Sequence, residues 1–238
     1  QRVGVRPDAV SFTCLIDACG RSLQIERAME VVQQMQLAGL RPNTAAFTSL
    51  IDACGKSFEL DRAFRVLHYM TQIGVPPNTA TFTSLIDACG RAQQLEQAFV
   101  VFDQMQQMGV YPNTATFTTL INACVKCSEL DRAFSILQQM HSSNVKPDTI
   151  AYTALINACG RTQQLERAFE LLRQMKLHAL RPNAVTFNAI IDVCCKCGNL
   201  ARAVAAMQQM QGEGILPVRL PPPPPLPPTP APPAPPPH

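Results

Sequence analysis

The chain has no tryptophan, and aromatic residues make up only 6% of its 238 residues. Charged residues are scarce at 16%, while 47% of the chain is hydrophobic. That balance excludes a chain kept disordered by its own charge. No run of 18 apolar residues occurs, so no membrane span is expected. The chain begins at Gln1 without an initiator methionine and shows no signal-like segment. Its four histidines, His68, His141, His178 and His238, are scattered without an evident partner. No His-x-Glu element accompanies the cysteines and no acidic cluster occurs, so neither a zinc deaminase centre nor a nuclease is expected. The net charge of +3 is mildly basic, which permits an anionic partner without demanding one.

Proline and cysteine are plentiful but unevenly placed. From Pro217 to His238 the sequence is mostly proline, with Arg219 the single base and no acid. Such a stretch builds no core, so the folded part is expected to end near residue 216. The tail, residues 219–238, is read as a disordered spacer inclined to polyproline II, with docking to an SH3-like or WW-like domain as the alternative. Six of the ten cysteines, Cys19, Cys54, Cys89, Cys124, Cys159 and Cys194, recur every 35 residues. They are read as free thiols acting as small buried apolar groups in a reducing compartment.

The period of 35 runs through the whole folded part. Prolines fall at 7, 42, 77, 112, 147, 182 and 217, methionines at 35, 70, 105, 140, 175 and 210, and alanines at 28, 63, 98, 133, 168 and 203. A fixed period of this length marks stacked units that bury their faces only against neighbours. Within one unit Phe82, Leu85, Ile86 and Cys89 form a helical stripe, interrupted at Gly90 and the polar "RAQQ". Leu95, Ala98, Phe99, Phe102 and Met105 form a second, closed by Gly109 and Pro112. Each unit is therefore expected to be a helix, a turn, a second helix and a tight exit. The small residue at Ala98 would let the two helices approach closely.

The units are taken as residues 9–43, 44–78, 79–113, 114–148, 149–183 and 184–218. Residues 1–8 are taken as the end of a preceding repeat, since Gly4, Pro7 and Asp8 match a unit's exit. The chain is thus expected to be a fragment of a longer array. Polar positions recur as well. The fifth residues are Thr13, Thr48, Thr83, Thr118, Thr153 and Asn188. The last residues are Asn43, Asn78, Asn113, Asp148, Asn183 and Val218, and the thirteenth are Arg21, Lys56, Arg91, Lys126, Arg161 and Lys196. Taken singly, these suit turns, N-caps and helix C-termini. Together they predict a row of hydrogen-bonding groups beside a track of cations, the complement of a phosphate backbone.

Two further features carry less. Cys124–Cys127 and Cys194–Cys197 both read Cys-x-x-Cys, but two repeats apart they would lie about 20 Å or more from each other, given helices stacked roughly 8–10 Å apart. One shared zinc site, with Zn–S bonds of about 2.3 Å, is excluded by that geometry. Asp17, Asp52, Asp87 and Asp192 recur at position nine as a repeat feature rather than a catalytic set. No cofactor and no metal is expected.

The 35-residue period, the "TFTSLIDACGR" first helix, the "LEQAFVVFDQM" second helix and the "GVYPN" exit resemble the pentatricopeptide-repeat family over residues 9–216. Tetratricopeptide repeats have a 34-residue period and an aromatic and glycine pattern absent here. The resemblance implies an all-α fold, a right-handed α-solenoid superhelix of stacked helix-turn-helix pairs. It also implies single-stranded RNA binding with one base per repeat.

In that family the fifth and last residues select the base and the second residue packs between bases. Thr13 with Asn43, Thr48 with Asn78, Thr83 with Asn113, and Thr153 with Asn183 then imply adenine. Thr118 with Asp148 implies guanine. Asn188 implies a pyrimidine, with Val218 departing from the pattern. The expected target is 5′-AAAGA followed by a pyrimidine. A carboxylate only accepts, as guanine's N–H edge requires, and an amide both donates and accepts. The packing residues are Val10, Ala45, Ala80, Ala115, Ile150 and Val185, with a weaker grip expected at the three alanines. The position-thirteen cations would meet phosphates. The resemblance further implies a non-enzymatic role in stabilising, processing or translating transcripts of a plastid or mitochondrion. A structural solenoid subunit of a ribosome or other complex, making protein contacts through its surface or its tail, is the alternative.

Overall fold

In a computed structural model of the protein, the described residues are 7–22 and 24–215. The proline-rich tail, Val218 and the first six residues lie outside them, so the expectations placed on those segments are not addressed. The described residues form twelve helices in six hairpins. The first helices of the pairs are α1 (Ala9–Arg21), α3 (Thr44–Lys56), α5 (Thr79–Arg91), α7 (Thr114–Lys126), α9 (Thr149–Arg161) and α11 (Ala184–Lys196). The second helices are α2 (Ile25–Leu37), α4 (Leu60–Gln72), α6 (Leu95–Gln107), α8 (Leu130–Ser142), α10 (Leu165–Leu177) and α12 (Leu200–Gly212). All twelve begin and end in register with the 35-residue period.

Local chemistry sets those boundaries. Each first helix starts at an Asx residue whose side chain accepts a hydrogen bond from the third helical N–H, as Asn78 does from Thr81. Each second helix ends in a Schellman motif. After α6, Gly109 adopts φ 71°, and the Val110 N–H returns to the Met105 carbonyl at 3.0 Å. The turn inside each hairpin is not made by glycine at position twelve. Gly90 lies inside α5, and the residue that turns left-handed is Gln93, with φ 56°. The expected interruption at Gly90 is therefore displaced by three residues. Gly90 serves packing instead: a Cβ there would lie 2.8 Å from the Ala123 Cβ of the next repeat.

The core is continuous along the stack. Phe82, Leu85, Ile86 and Cys89 are buried, as are Leu95, Ala98, Phe102 and Met105. Phe99 is only half-buried, with the Arg132 guanidinium 4.1 Å above its ring, and Val101 is buried in its stead. Each large side chain withdrawn from water contributes roughly 1.5–3 kcal/mol, but only once a neighbouring repeat covers it. The buried cysteines behave as apolar filling. Burial pushes the thiols of Cys54 and Cys159 up to about 11 and those of Cys89 and Cys124 up to about 12.

The packing scheme also fixes the curvature. The backbones of successive first helices pack directly on one another, whereas successive second helices stand farther apart and meet only through long side chains. The first-helix layer is therefore the crowded, shorter one, and the second helices fan out on the longer side. The first helices line the concave face. On the outer face long side chains span the gaps: Glu26 pairs with Arg62, Glu96 with Arg132, Asp131 with Arg167 and Glu166 with Arg202. Gln97 stands where the other repeats carry that arginine.

Candidate nucleic-acid interface

At 100° per residue, positions two, five, nine and thirteen of a first helix fall on one face. Position two is open to solvent in all six repeats. Val10 is 68% exposed, Ile150 63% and Val185 55%, and Ala45, Ala80 and Ala115 are exposed as well. A hydrophobic side chain left uncovered at the same place in every unit forms a regular series of apolar steps.

Position five lies at the seam between successive first helices rather than fully on the open face. Thr13, Thr48 and Thr83 are half-buried, Thr118 and Thr153 are only 6% and 8% exposed, and Asn188 is exposed. An open row of six was expected. The helices approach so closely that a β-branched residue here is gripped from both sides. The hydroxyls of Thr13, Thr48 and Thr83 reach back to the carbonyls of Ala9, Thr44 and Thr79 at 2.7–2.9 Å.

The last residues are both N-caps and groove residues. Asn43, Asn78, Asn113 and Asn183 are exposed and Asp148 is half-buried. Their Oδ1 atoms accept backbone N–H groups at 2.8–3.0 Å, from Ala46, Thr81, Thr116, Thr186 and Ala151 respectively. The cap reading and the groove reading are thus compatible. One expectation changes: an amide whose oxygen caps a helix offers the groove its N–H donors rather than both functions.

Sequence reasoning missed the third position. Thr81, Thr116 and Thr186 are fully buried. Their hydroxyls bond the preceding position-five threonines: Thr48–Thr81 at 2.8 Å, Thr83–Thr116 at 2.9 Å and Thr153–Thr186 at 2.9 Å. The same hydroxyls donate to Asn78, Asn113 and Asn183 Oδ1 at 3.0–3.1 Å. Where Ala151 replaces the threonine, Thr118 donates directly to Asp148 Oδ1 at 3.2 Å. The signal was present in the repeated "NTAT" of the first helices, where a threonine follows the asparagine by three residues.

The expected track of cations is a track of ion pairs. Arg21, Lys56, Arg91, Lys126, Arg161 and Lys196 are all exposed. Four of them sit one helical turn beyond an aspartate and pair with it: Asp17–Arg21 at 2.5 Å, Asp52–Lys56 at 2.6 Å, Asp87–Arg91 at 2.6 Å and Asp192–Lys196 at 2.7 Å. Lys126 reaches Asp87 at 3.7 Å, and Arg161 donates to the Val125 carbonyl at 2.6 Å. Asparagines 122 and 157 replace the aspartate in those two repeats. Positive charge is therefore concentrated in the fourth and fifth repeats. Exposed pairs of this kind contribute only about 0–1 kcal/mol, so a phosphate can displace the carboxylate readily.

Among the described residues no group of three metal-ligating side chains comes together. The two Cys-x-x-Cys pairs sit on α7 and α11, each with one buried thiol and one at the helix C-cap, Cys127 or Cys197.

Six equivalent helical hairpins with a polar and apolar register along their first-helix layer define an α-solenoid repeat protein. A family model described as the pentacotripeptide-repeat region of PRORP matches residues 2–129 and again 79–219, and the chain belongs to this pentatricopeptide-repeat family. Among solved structures, maize PPR10 is 26% identical with a TM-score of 0.70, over 90% of this chain and 31% of that one. PPR10 in complex with an 18-nt psaJ RNA element is 22% identical with a TM-score of 0.67, over 89% of this chain and 34% of that one. The PPR domain of Arabidopsis thaliana protein-only RNase P 1, in complex with tRNA, is 22% identical with a TM-score of 0.59, over 70% of this chain and 88% of that one. The chain spans about a third of the length of the PPR10 chains it matches. No curated protein sequence matches it.

Proposed function

We propose that the concave face binds single-stranded RNA, one base per repeat, and prefers 5′-AAAGA followed by a pyrimidine. The observation that carries this is the register: each of the first five repeats sets an exposed apolar residue beside a hydrogen-bonding pair and a cation on the same face. The position-two residue, Val10, Ala45, Ala80, Ala115, Ile150 or Val185, would pack against base faces. The Thr/Asn pairs would read adenine, Thr118 with Asp148 guanine, and Asn188 a pyrimidine. The position-thirteen cations would meet phosphates and set affinity without selecting sequence. Family membership and the RNA-bound relatives support the reading. The RNase P likeness concerns a PPR domain, and no catalysis is carried over from it. A role in organellar transcript stabilisation, processing or translation, in a plastid or mitochondrion, is part of the same proposal.

Selection of bound sequences from a random RNA pool tests it. A purine-rich core near AAAGA is the expected outcome. Recovery of unrelated sequences, or of no enriched sequence, would overturn the base assignments.

A further inference from the structure

We infer that the threonine at the third position of a repeat is a positioning residue for the base read by the repeat before it. Thr81, Thr116 and Thr186 would then set the donor and acceptor polarity of the reading pairs in repeats two, three and five. The inference rests on the RNA-reading proposal and adds to it a residue class that touches no base.

The argument is one of counting protons. In repeat two, Thr81 Oγ1 lies 2.8 Å from Thr48 Oγ1 and 3.0 Å from Asn78 Oδ1. The Thr81 backbone N–H, 3.0 Å from Asn78 Oδ1, fixes that atom as the amide oxygen, which has no proton to give. The Thr81 hydroxyl must therefore donate to Asn78. Its oxygen must then accept from Thr48. The Thr48 hydroxyl also lies 2.9 Å from the Thr44 carbonyl, so three contacts share two protons, and that carbonyl, which has its own backbone partner within the helix, is the one that can do without. Only the order Thr48 to Thr81 to Asn78 satisfies the other two. Thr81 is fully buried, so no water substitutes for either partner.

This order fixes what the groove sees. Thr48 has spent its proton and shows lone pairs. Asn78 Oδ1 already accepts two hydrogen bonds, so the amide shows N–H. The pair is one acceptor and one donor, the complement of adenine's N6–H and N1. Guanine inverts that edge with O6 and N1–H, and would meet donor against donor. The same chain of contacts recurs at Thr83, Thr116 and Asn113 and at Thr153, Thr186 and Asn183.

The two remaining Thr-containing pairs lack the threonine and differ as the argument requires. In repeat four Thr118 donates straight to Asp148, leaving two acceptors, the complement of guanine's N1–H and N2–H. In repeat one the following third residue is Ala46. Among the described residues the Thr13 hydroxyl bonds only the Ala9 carbonyl, at 2.8 Å. It can turn to give or to take, so the first base should be discriminated less sharply than the second, third and fifth.

Thr81→Val tests this, because it keeps the side-chain shape and the backbone N–H that caps Asn78 while removing the hydroxyl. Binding is measured to RNAs carrying AAAGAU with A or G at the second base, and separately at the third. The wild type should favour A at both. Thr81→Val should lower the preference at the second base by about fivefold, the worth of one net hydrogen bond, and leave the third unchanged. Thr81→Ser should restore it, and Ala46→Thr should raise the preference at the first base by a similar factor. An unchanged preference at the second base in Thr81→Val, or an equal loss at both bases, overturns the inference. If Thr81→Val does not fold, Ala46→Thr decides, and a flat first base in that variant overturns it. A wild type indifferent to every base overturns the RNA-reading proposal along with it, whereas a discriminating wild type with indifferent variants overturns the relay alone.

Discussion

Asp148 differs from its four asparagine equivalents by the exchange of an N–H2 donor for a second acceptor. Its Oδ1 is held by the Ala151 N–H at 2.8 Å and by Thr118 at 3.2 Å, so Oδ2 is the atom left to a ligand. Asp148→Asn preserves the cap, since asparagine and aspartate are nearly equal at an N-cap, and stability should change by less than about 0.5 kcal/mol. The groove atom would change from acceptor to donor. The preferred fourth base should therefore move from G to A, read by competition between AAAGA and AAAAA RNAs, while the other positions hold. Retention of the G preference would separate Asp148 from base recognition. The recurrence of these polar positions was visible in the sequence, because a polar residue that recurs off the apolar stripe needs a reason. Their polarity was not. It depends on the third residue of the next repeat, which reads as an ordinary helical threonine until two helices are placed side by side.

Helix boundaries were legible for the same reason that the period was: Asx caps after proline and glycine exits state them locally. What sequence alone misplaced was Gly90, because a glycine after an apolar stripe looks like a stop and only the neighbouring helix shows it to be a point of contact. The structure contains its own comparison. Val125 occupies the equivalent place in α7, and there the successive first helices α7 and α9 approach less closely than α5 and α7 do. Gly90→Val should force the same separation in an interface built without it. A Cβ at Gly90 would also meet the Ala123 Cα at 3.2 Å, and backbone cannot yield as a side chain can. Overpacking of this kind costs typically about 1–3 kcal/mol, only partly offset by valine's better helix propensity. Denaturant unfolding of Gly90→Val should show that loss, and an unchanged midpoint would mean the stack absorbs the methyl groups by sliding.

Across the whole stack, the position-thirteen cations are least matched by aspartates in the central repeats. Six exposed cations share the concave face with four aspartates, and three of those cations, Arg91, Lys126 and Arg161, have only Asp87 among them. A phosphate arriving at Lys56 must displace Asp52, whereas one arriving at Arg161 displaces a backbone carbonyl. The central repeats should therefore anchor the RNA and the outer ones should contribute less. If all six cations met phosphates, the logarithm of affinity would fall with the logarithm of salt at a slope of roughly −4. Replacing Lys126 and Arg161 together by alanine should flatten that slope by roughly 1.4 and weaken every RNA to the same degree, leaving the order of preference intact. The paired replacement of Lys56 and Lys196, each held by its own aspartate, should do less on both counts, because a cation already neutralised by a carboxylate holds fewer phosphates and releases fewer counterions when RNA binds. Salt titrations of the two double variants against one matched and one mismatched RNA distinguish the cases. Equal losses from both pairs would show that the aspartates do not gate the track, and a loss confined to the matched RNA would show that these cations read bases rather than phosphates.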